Sequence, residues 1–246
     1  MYCRVALSVV ACLMLLCVLS TGVAKEPVSE ELEGELILRD DFQRDEPVEG
    51  KEAIGNGWTS NSAWRAKGTQ QVDLQDGVMA VTRAEHADHG VAIFHDVSFR
   101  DGSVKLKFKL RPGDDLGIDF VDRELKTVHA GHLCMARVTL KQATLMDSKT
   151  GNMNLELREK RLANALTAED KKLLETKSKR VPLTLDAKIW HDLLVVVQRD
   201  KMTLTIDGEV VGEFQSEGIA HPTKRMITLA VNKSAWIDDV EVRRLR

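Results

Sequence analysis

Tyrosine is almost missing from this sequence: the only one is Tyr2, and aromatic residues make up 4% of the 246 positions. A long polysaccharide groove needs a row of ring faces for sugar C–H surfaces, so the scarcity disfavours one while leaving room for a single small sugar site. Charge of one sign is missing too. Charged residues are 30% of the chain, yet the formal net charge is only -3, so no global field draws nucleic acid or an anionic membrane. Cysteine is scarce: Cys3, Cys12 and Cys17 fall within the first 24 residues, which leaves Cys134 alone in the remainder. That remainder has no intramolecular disulfide and must rely on a core, for which a hydrophobic share of 43% is sufficient. Cys134, in the run HLCMARVTL, reads as a small core residue rather than a nucleophile. There is no G-x-S-x-G elbow, phosphate-cradling glycine loop, CxxC pair or H-E-x-x-H.

What is present begins with an export signal. Arg4 precedes the apolar run VALSVVACLMLLCVLS, and the small residues of Thr21-Gly22-Val23-Ala24 close it before Lys25. The run is shorter than the roughly 20 apolar residues of a spanning helix, so cleavage after Ala24 is expected, with no membrane insertion afterwards and a periplasmic or extracellular address. Residues 25–35 read as an acidic, solvated leader, and 36–246 as one domain without a long linker or internal repeat.

The domain reads as all-β. Ile189 to Phe214, IWHDLLVVVQRDKMTLTIDGEVVGEF, has the pattern of three strands joined by tight turns, with Asp207-Gly208 as a two-residue hairpin signal. Such a meander cannot bury its apolar face alone and needs a second sheet. Earlier strands come as QQVDL and VMAVTR about Asp76-Gly77, then VAIFHDVSF and SVKLKFKL about Asp101-Gly102. In the last of these Val104, Leu106, Phe108 and Leu110 alternate with Lys105, Lys107 and Lys109, giving one core face and one wet face. The lysine row reads as solvated surface, with an anionic glycan as the rival explanation. Only residues 154–179 depart from this strand-and-turn pattern, with a helical composition in which Thr167 and Asp170 resemble a capping box. The expectation is a two-sheet antiparallel jelly-roll sandwich with a short helical insertion.

The opening DDFQR with Gly57-Trp58 downstream, the Ile189–Phe214 block and the closing IDDVEVRRL together resemble secreted bacterial concanavalin A-like, laminin-G-like jelly rolls. The nearest branch is the domain named after 3-keto-disaccharide hydrolases. The resemblance spans most of Leu36 to Leu245, rests on framework positions, and implies contact with carbohydrate, as a binding module or as a glycan-cleaving enzyme. Laminarinase-type members of the superfamily carry E-x-D-x-x-E on one strand. The corresponding run here, Gly117-Ile118-Asp119-Phe120-Val121-Asp122, has glycine where the first glutamate would stand.

Candidate chemistry concentrates in Asp114 to Leu133, DDLGIDFVDRELKTVHAGHL. Asp119 alternates with Ile118 and Phe120 and so points to the wet face, where it would serve as general base with His129 or His132 as proton donor. The carboxylates Asp115, Asp122 and Glu124 complete a polar set that would also suit a divalent cation such as calcium, while structural use of these groups in turns is the competing reading. Trp58 and Trp64 are the candidate sugar platforms, whereas Trp190 and Trp236 begin strands and are expected in the core. Three roles stay open: a module binding a glycan or another envelope component, a hydrolase or lyase acting on a small 3-keto glycoside, and an envelope scaffold without a small ligand.

Overall fold

The computed structural model describes residues 34–246; the expected signal and nearly all of the leader lie outside the described residues. In chain order the strands are β1 (Gly34–Asp40), β2 (Thr59–Ser60), β3 (Val72–Gln75), β4 (Val78–Thr82), β5 (Val91–Phe99), β6 (Gly102–Lys109), β7 (Leu116–Val121), β8 (His132–Val138), β9 (Gln142–Asp147) and β10 (Ser178–Pro182). They continue as β11 (His191–Gln198), β12 (Lys201–Ile206), β13 (Glu209–Gln215), β14 (Lys224–Val231) and β15 (Ser234–Leu245). Helices are few: α1 (Ser62–Arg65), α2 (Leu155–Leu162) and α3 (Ala168–Thr176). No helix among the described residues is long and apolar enough to cross a membrane.

The strands form two sheets, ordered β13-β12-β11-β6-β15-β4-β3 and β10-β9-β8-β7-β14-β5-β2, with β1 also on β15. Every pairing is antiparallel, and the jelly-roll sandwich expected from alternation is what the chain builds. The first sheet presents Val104, Leu106 and Phe108, Leu193, Val195 and Val197, and Met202 and Leu204 to the interior. The second opposes them with Ile118 and Phe120, Ala136 and Val138, and Ile227 and Leu229. Each of these side chains larger than alanine contributes about 1.5–3 kcal/mol on burial, so the paired faces rather than any cross-link hold the sheets together. Cys134 is part of this core, and burial pushes its thiol well above the ordinary range, which leaves it inert.

Turn chemistry follows the sequence at two of three Asp-Gly pairs. Asp76-Gly77 and Asp207-Gly208 adopt positive φ (53° and 74°, 51° and 81°), the conformation a two-residue hairpin needs. Asp101-Gly102 is different: β5 belongs to the second sheet and β6 to the first, so this turn passes the chain between layers. Glycine is required there for another reason, since a Cβ on Gly102 would lie 2.6 Å from the Phe99 ring and 2.8 Å from the Arg243 carbonyl. The helical insertion forms as α2 and α3, and the Thr167–Asp170 capping box is complete.

Candidate functional site

One row of side chains crosses the outer face of the second sheet on all seven strands: Thr59, Phe94, Thr228, Asp119, Met135, Met146 and Ser178. Asp119 stands at its centre, on the face that alternation assigns to it, yet it is 1% exposed because its neighbours close over it. Strict alternation would send His132 to the core face with Cys134 and Ala136. A bulge prevents this: Phe120 pairs with Cys134 but Val121 pairs with His132, so Leu133 is the extra residue and His132 is re-aimed onto the Asp119 side. There His132 Nδ1 and Asp119 Oδ2 form a charge-assisted hydrogen bond. Asp119 Oδ1 and Thr228 Oγ1, on adjacent strands, are buried and have no hydrogen-bond partner among the described residues.

His129 sits beside this pair, with ring centroids 6.4 Å from His132. Its loop is fixed by two successive residues of positive φ, Ala130 (51°) and Gly131 (79°), and by the Asp122 N–H donating to the Gly131 carbonyl at 2.9 Å. The approach to α2 holds the other side, where His129 N donates to Met153 O at 2.8 Å. The two imidazoles are driven apart in acidity. Burial opposes charge on His132, but the Asp119 carboxylate outweighs it and raises the pKa above the ordinary value. Burial lowers that of His129, and the positive charges of Arg158 and His132 add to the effect.

The aromatic expectations divide. Trp64 is 61% exposed and stacks on Phe94, with centroids 6.2 Å apart and planes at 6°. Arg123 lies over the same Phe94 ring, its guanidinium carbon 4.7 Å from the centroid, and its charge is also felt by His132. Trp64, Phe94 and Arg123 therefore lead from the sheet edge towards Asp119 and His132. Trp58 cannot serve as a platform: it is 4% exposed and its indole N–H donates to Asp40 Oδ2 at 2.9 Å. Asp40 also receives Arg44 at 2.7 and 2.8 Å, Asn56 at 2.9 Å and the Phe42 amide, and this set is a buried structural clamp.

The remaining carboxylates do not join Asp119. Asp115 is buried and bonded to Arg137 and to both the backbone and side chain of Asn232. Asp122 accepts His221 Nε2 at 2.9 Å, the Glu124 amide at 2.9 Å and Arg225 at 3.2 Å, while Glu124 is an exposed partner of Arg225 at 2.8 Å. All three are engaged by neighbouring cations or amides, and among the described residues no three of His, Cys, Asp or Glu converge as a cation cage. Sequence reasoning missed Phe94, Arg123 and Thr228. Phe94 and Thr228 were legible only through register, since nothing in VAIFHDVSF or MITLAV says which strands flank Asp119.

The chain is thus a two-layer antiparallel jelly-roll sandwich with a polar site in the middle of one outer face. The family model for the 3-keto-alpha-glucoside-1,2-lyase-like domain matches residues 48–244, and the chain belongs to that family. Among solved structures it is similar to the laminarinase from Rhodothermus marinus (TM-score 0.57, 11% identity, covering 87% of this chain and 98% of that one). It is also similar to SCLam, a non-specific endo-beta-1,3(4)-glucanase from family GH16 (TM-score 0.55, 13% identity, 86% and 91% covered), and to a galectin-like protein of unknown function from Bacillus subtilis (TM-score 0.55, 13% identity, 87% and 98% covered). At such identities the likeness is one of fold. No curated protein matches the chain.

Proposed function

We propose that the chain is an exported carbohydrate-active protein whose second sheet carries an acid–base site for one 3-keto sugar, with Trp64 and Phe94 supporting the sugar and Arg123 holding its oxygens. The observation that carries this reading is the Asp119–His132 pair beside an imidazole of opposite tendency, because two neighbouring groups with separated acidities are what proton transfer in both directions needs. Neutral His129 takes the proton from C2, which the adjacent C3 carbonyl acidifies. The C–H electron pair forms the C1=C2 bond while the C1–O bond breaks, and the His132 imidazolium gives its proton to the departing oxygen. Asp119 orients His132 and stabilises its charge; it is not the base. Exchange with water resets both rings.

Retaining hydrolysis is a poor fit. It requires two carboxylates about 5–5.5 Å apart, and at Gly117 a Cβ would meet the Arg137 guanidinium at 3.1 Å and Met135 Sδ at 3.2 Å. The test is release of nitrophenol from a 3-keto-α-glucoside of 4-nitrophenol by the full chain and by Asp119→Asn, His132→Gln and His129→Gln variants. Turnover by the wild type that falls at least about a hundredfold in the His variants supports the assignment, a size typical of a lost general acid or base. The exposed Trp64–Phe94 stack favours a second reading, a glycan-binding module without turnover; saturable binding lost in Trp64→Ala, with no product formed, would select it. Amino-terminal sequencing of secreted protein that begins at Lys25 tests the address.

A further inference from the structure

The other outer face of the sandwich carries a second candidate site, far from the groups discussed above in both strand and layer. Along β6 the lysine row is not uniform. Lys107 is satisfied by Asp239 at 2.5 Å and stands opposite Asp192 and Asp238, and Lys105 stands opposite Glu241. Lys109 instead stands opposite Trp236. Just past the strand, Arg111 lies over the Trp236 indole, its guanidinium carbon 4.4 Å from the ring centroid. Trp190, 39% exposed, and Lys188 arrive from the segment before β11 and close a cleft of about 430 Å3 with these groups and Ala187. Both tryptophans were expected in the core; they are outside it because Trp236 alternates with buried Ala235 and Ile237, and Trp190 precedes the buried His191.

The composition of the cleft is specific. Lys109, Arg111 and Lys188 have no ion-pair partner among the described residues, and two nearby acids are occupied: Asp114 accepts the Arg111 amide at 3.0 Å and Asp186 the Lys188 amide at 2.9 Å. Stacking fixes the Arg111 fork before any ligand arrives, which lowers the entropy cost of a bidentate contact. The exposed Trp190 indole offers what a sugar C–H face packs against, Trp236 carries the Arg111 fork, and three cations offer what an acidic substituent needs. Three cations against these two carboxylates leave the cleft a small positive excess in a chain whose net charge is -3. Neutral sugar would leave the cations without partners, and a bare anion would leave the Trp190 indole unused.

We propose that this cleft binds an anionic sugar residue, one carrying a carboxylate or a sulfate ester, independently of the acid–base site on the opposite face. The full chain would be titrated with trigalacturonate, with a sulfated disaccharide and with neutral maltotriose, following the indole N–H signals by NMR with Trp→Phe variants for assignment. Saturable shifts of Trp190 and Trp236 with either acidic probe, weakened by salt and at least tenfold weaker in Arg111→Gln and Lys188→Gln, support the proposal. The two acidic arms tell which substituent is preferred. These exposed substitutions should leave turnover of the keto-glucoside unchanged. Equal binding of maltotriose, shifts confined to Trp64, unaltered affinity in both variants, or no binding of any probe would overturn it.

Discussion

Replacing Asp119 by asparagine changes one charge at almost constant volume, and the structure says where the effect must appear. In the wild type, burial and the Arg123 charge both disfavour imidazolium at position 132, and only Asp119 opposes them strongly enough to raise the pKa. Without that charge the two opposing influences remain, so the His132 titration should move from above its ordinary position to below it. The energetic change is a charge-assisted hydrogen bond exchanged for a neutral one, a difference of about 1–2 kcal/mol from values of 1.5–3 and 0.5–1.5. Overall stability should fall by no more than this, because the buried Asp119 Oδ1 has no hydrogen-bond partner to lose among the described residues. Imidazole nitrogen shifts recorded against pH in both proteins measure the effect directly. A His132 midpoint that stays in place in Asp119→Asn would refute the pairing and, with it, the orienting role given to Asp119.

Other consequences can be checked by denaturation. A methyl on Gly131 would lie 2.4 Å from the Asp122 carbonyl at a φ of +79°, so Gly131→Ala should cost about 2–4 kcal/mol and loosen His132 from Asp119. Gly218→Ala places a Cβ 1.9 Å from Asp147 Oδ1, which accepts the Thr150 amide at 3.0 Å; its companion Oδ2 accepts the Gly218 amide and the Ser216 hydroxyl, and urea melts should show a loss of similar size. Burial alone would raise the pKa of Asp40 and Asp122, but hydrogen bonds from Arg44 and His221 lead the groups that hold both below the ordinary 3.8. Their contribution is therefore complete above that value and is lost as pH falls through the lower folded ones; Asp40→Asn should flatten the acid limb of a stability–pH curve. Thr167→Ala removes the α3 cap, costs about 1 kcal/mol and should leave turnover intact.

The sandwich was legible because burial on one face leaves a period of two that survives in local sequence, as in Val104 to Leu110, and because hairpins need residues that tolerate positive φ, as Asp207-Gly208 does. The helical insertion announced itself through its cap. The site was half legible. Alternation placed Asp119 on the outer face, but His132 reaches it only through a bulge at Leu133, and nothing local distinguishes a bulged strand from a regular one. Long-range partners were out of reach in the same way: Asp122 is held by His221, 99 residues away, so a carboxylate that looked available is spent on structure. Trp58 and Trp64 are six residues apart, and Trp58 is held inside by distant partners, Asp40 at its indole N–H and Phe42 and His95 against its ring, that local sequence does not reveal.

The chemistry can be tested by its pH dependence, and here the fold argues against its own structural neighbours. A strand with glycine at 117 keeps the middle carboxylate of the laminarinase-type pattern and loses the outer pair: the first is absent and the last, Asp122, is bound to His221 and Arg225. In the proposed reaction a lone carboxylate paired with an imidazole leaves the working protons on histidine. If His129 must be neutral and His132 protonated, kcat/KM for a 3-keto-glucoside rises through a His129 midpoint below 6.5 and declines through a His132 midpoint above it. The maximum then contains pH 6.5, and the alkaline limb, not the acid one, should move to lower pH in Asp119→Asn. A rate with no alkaline decline, and unchanged in His129→Gln and His132→Gln, would mean that neither histidine carries the working proton and would overturn the assignment.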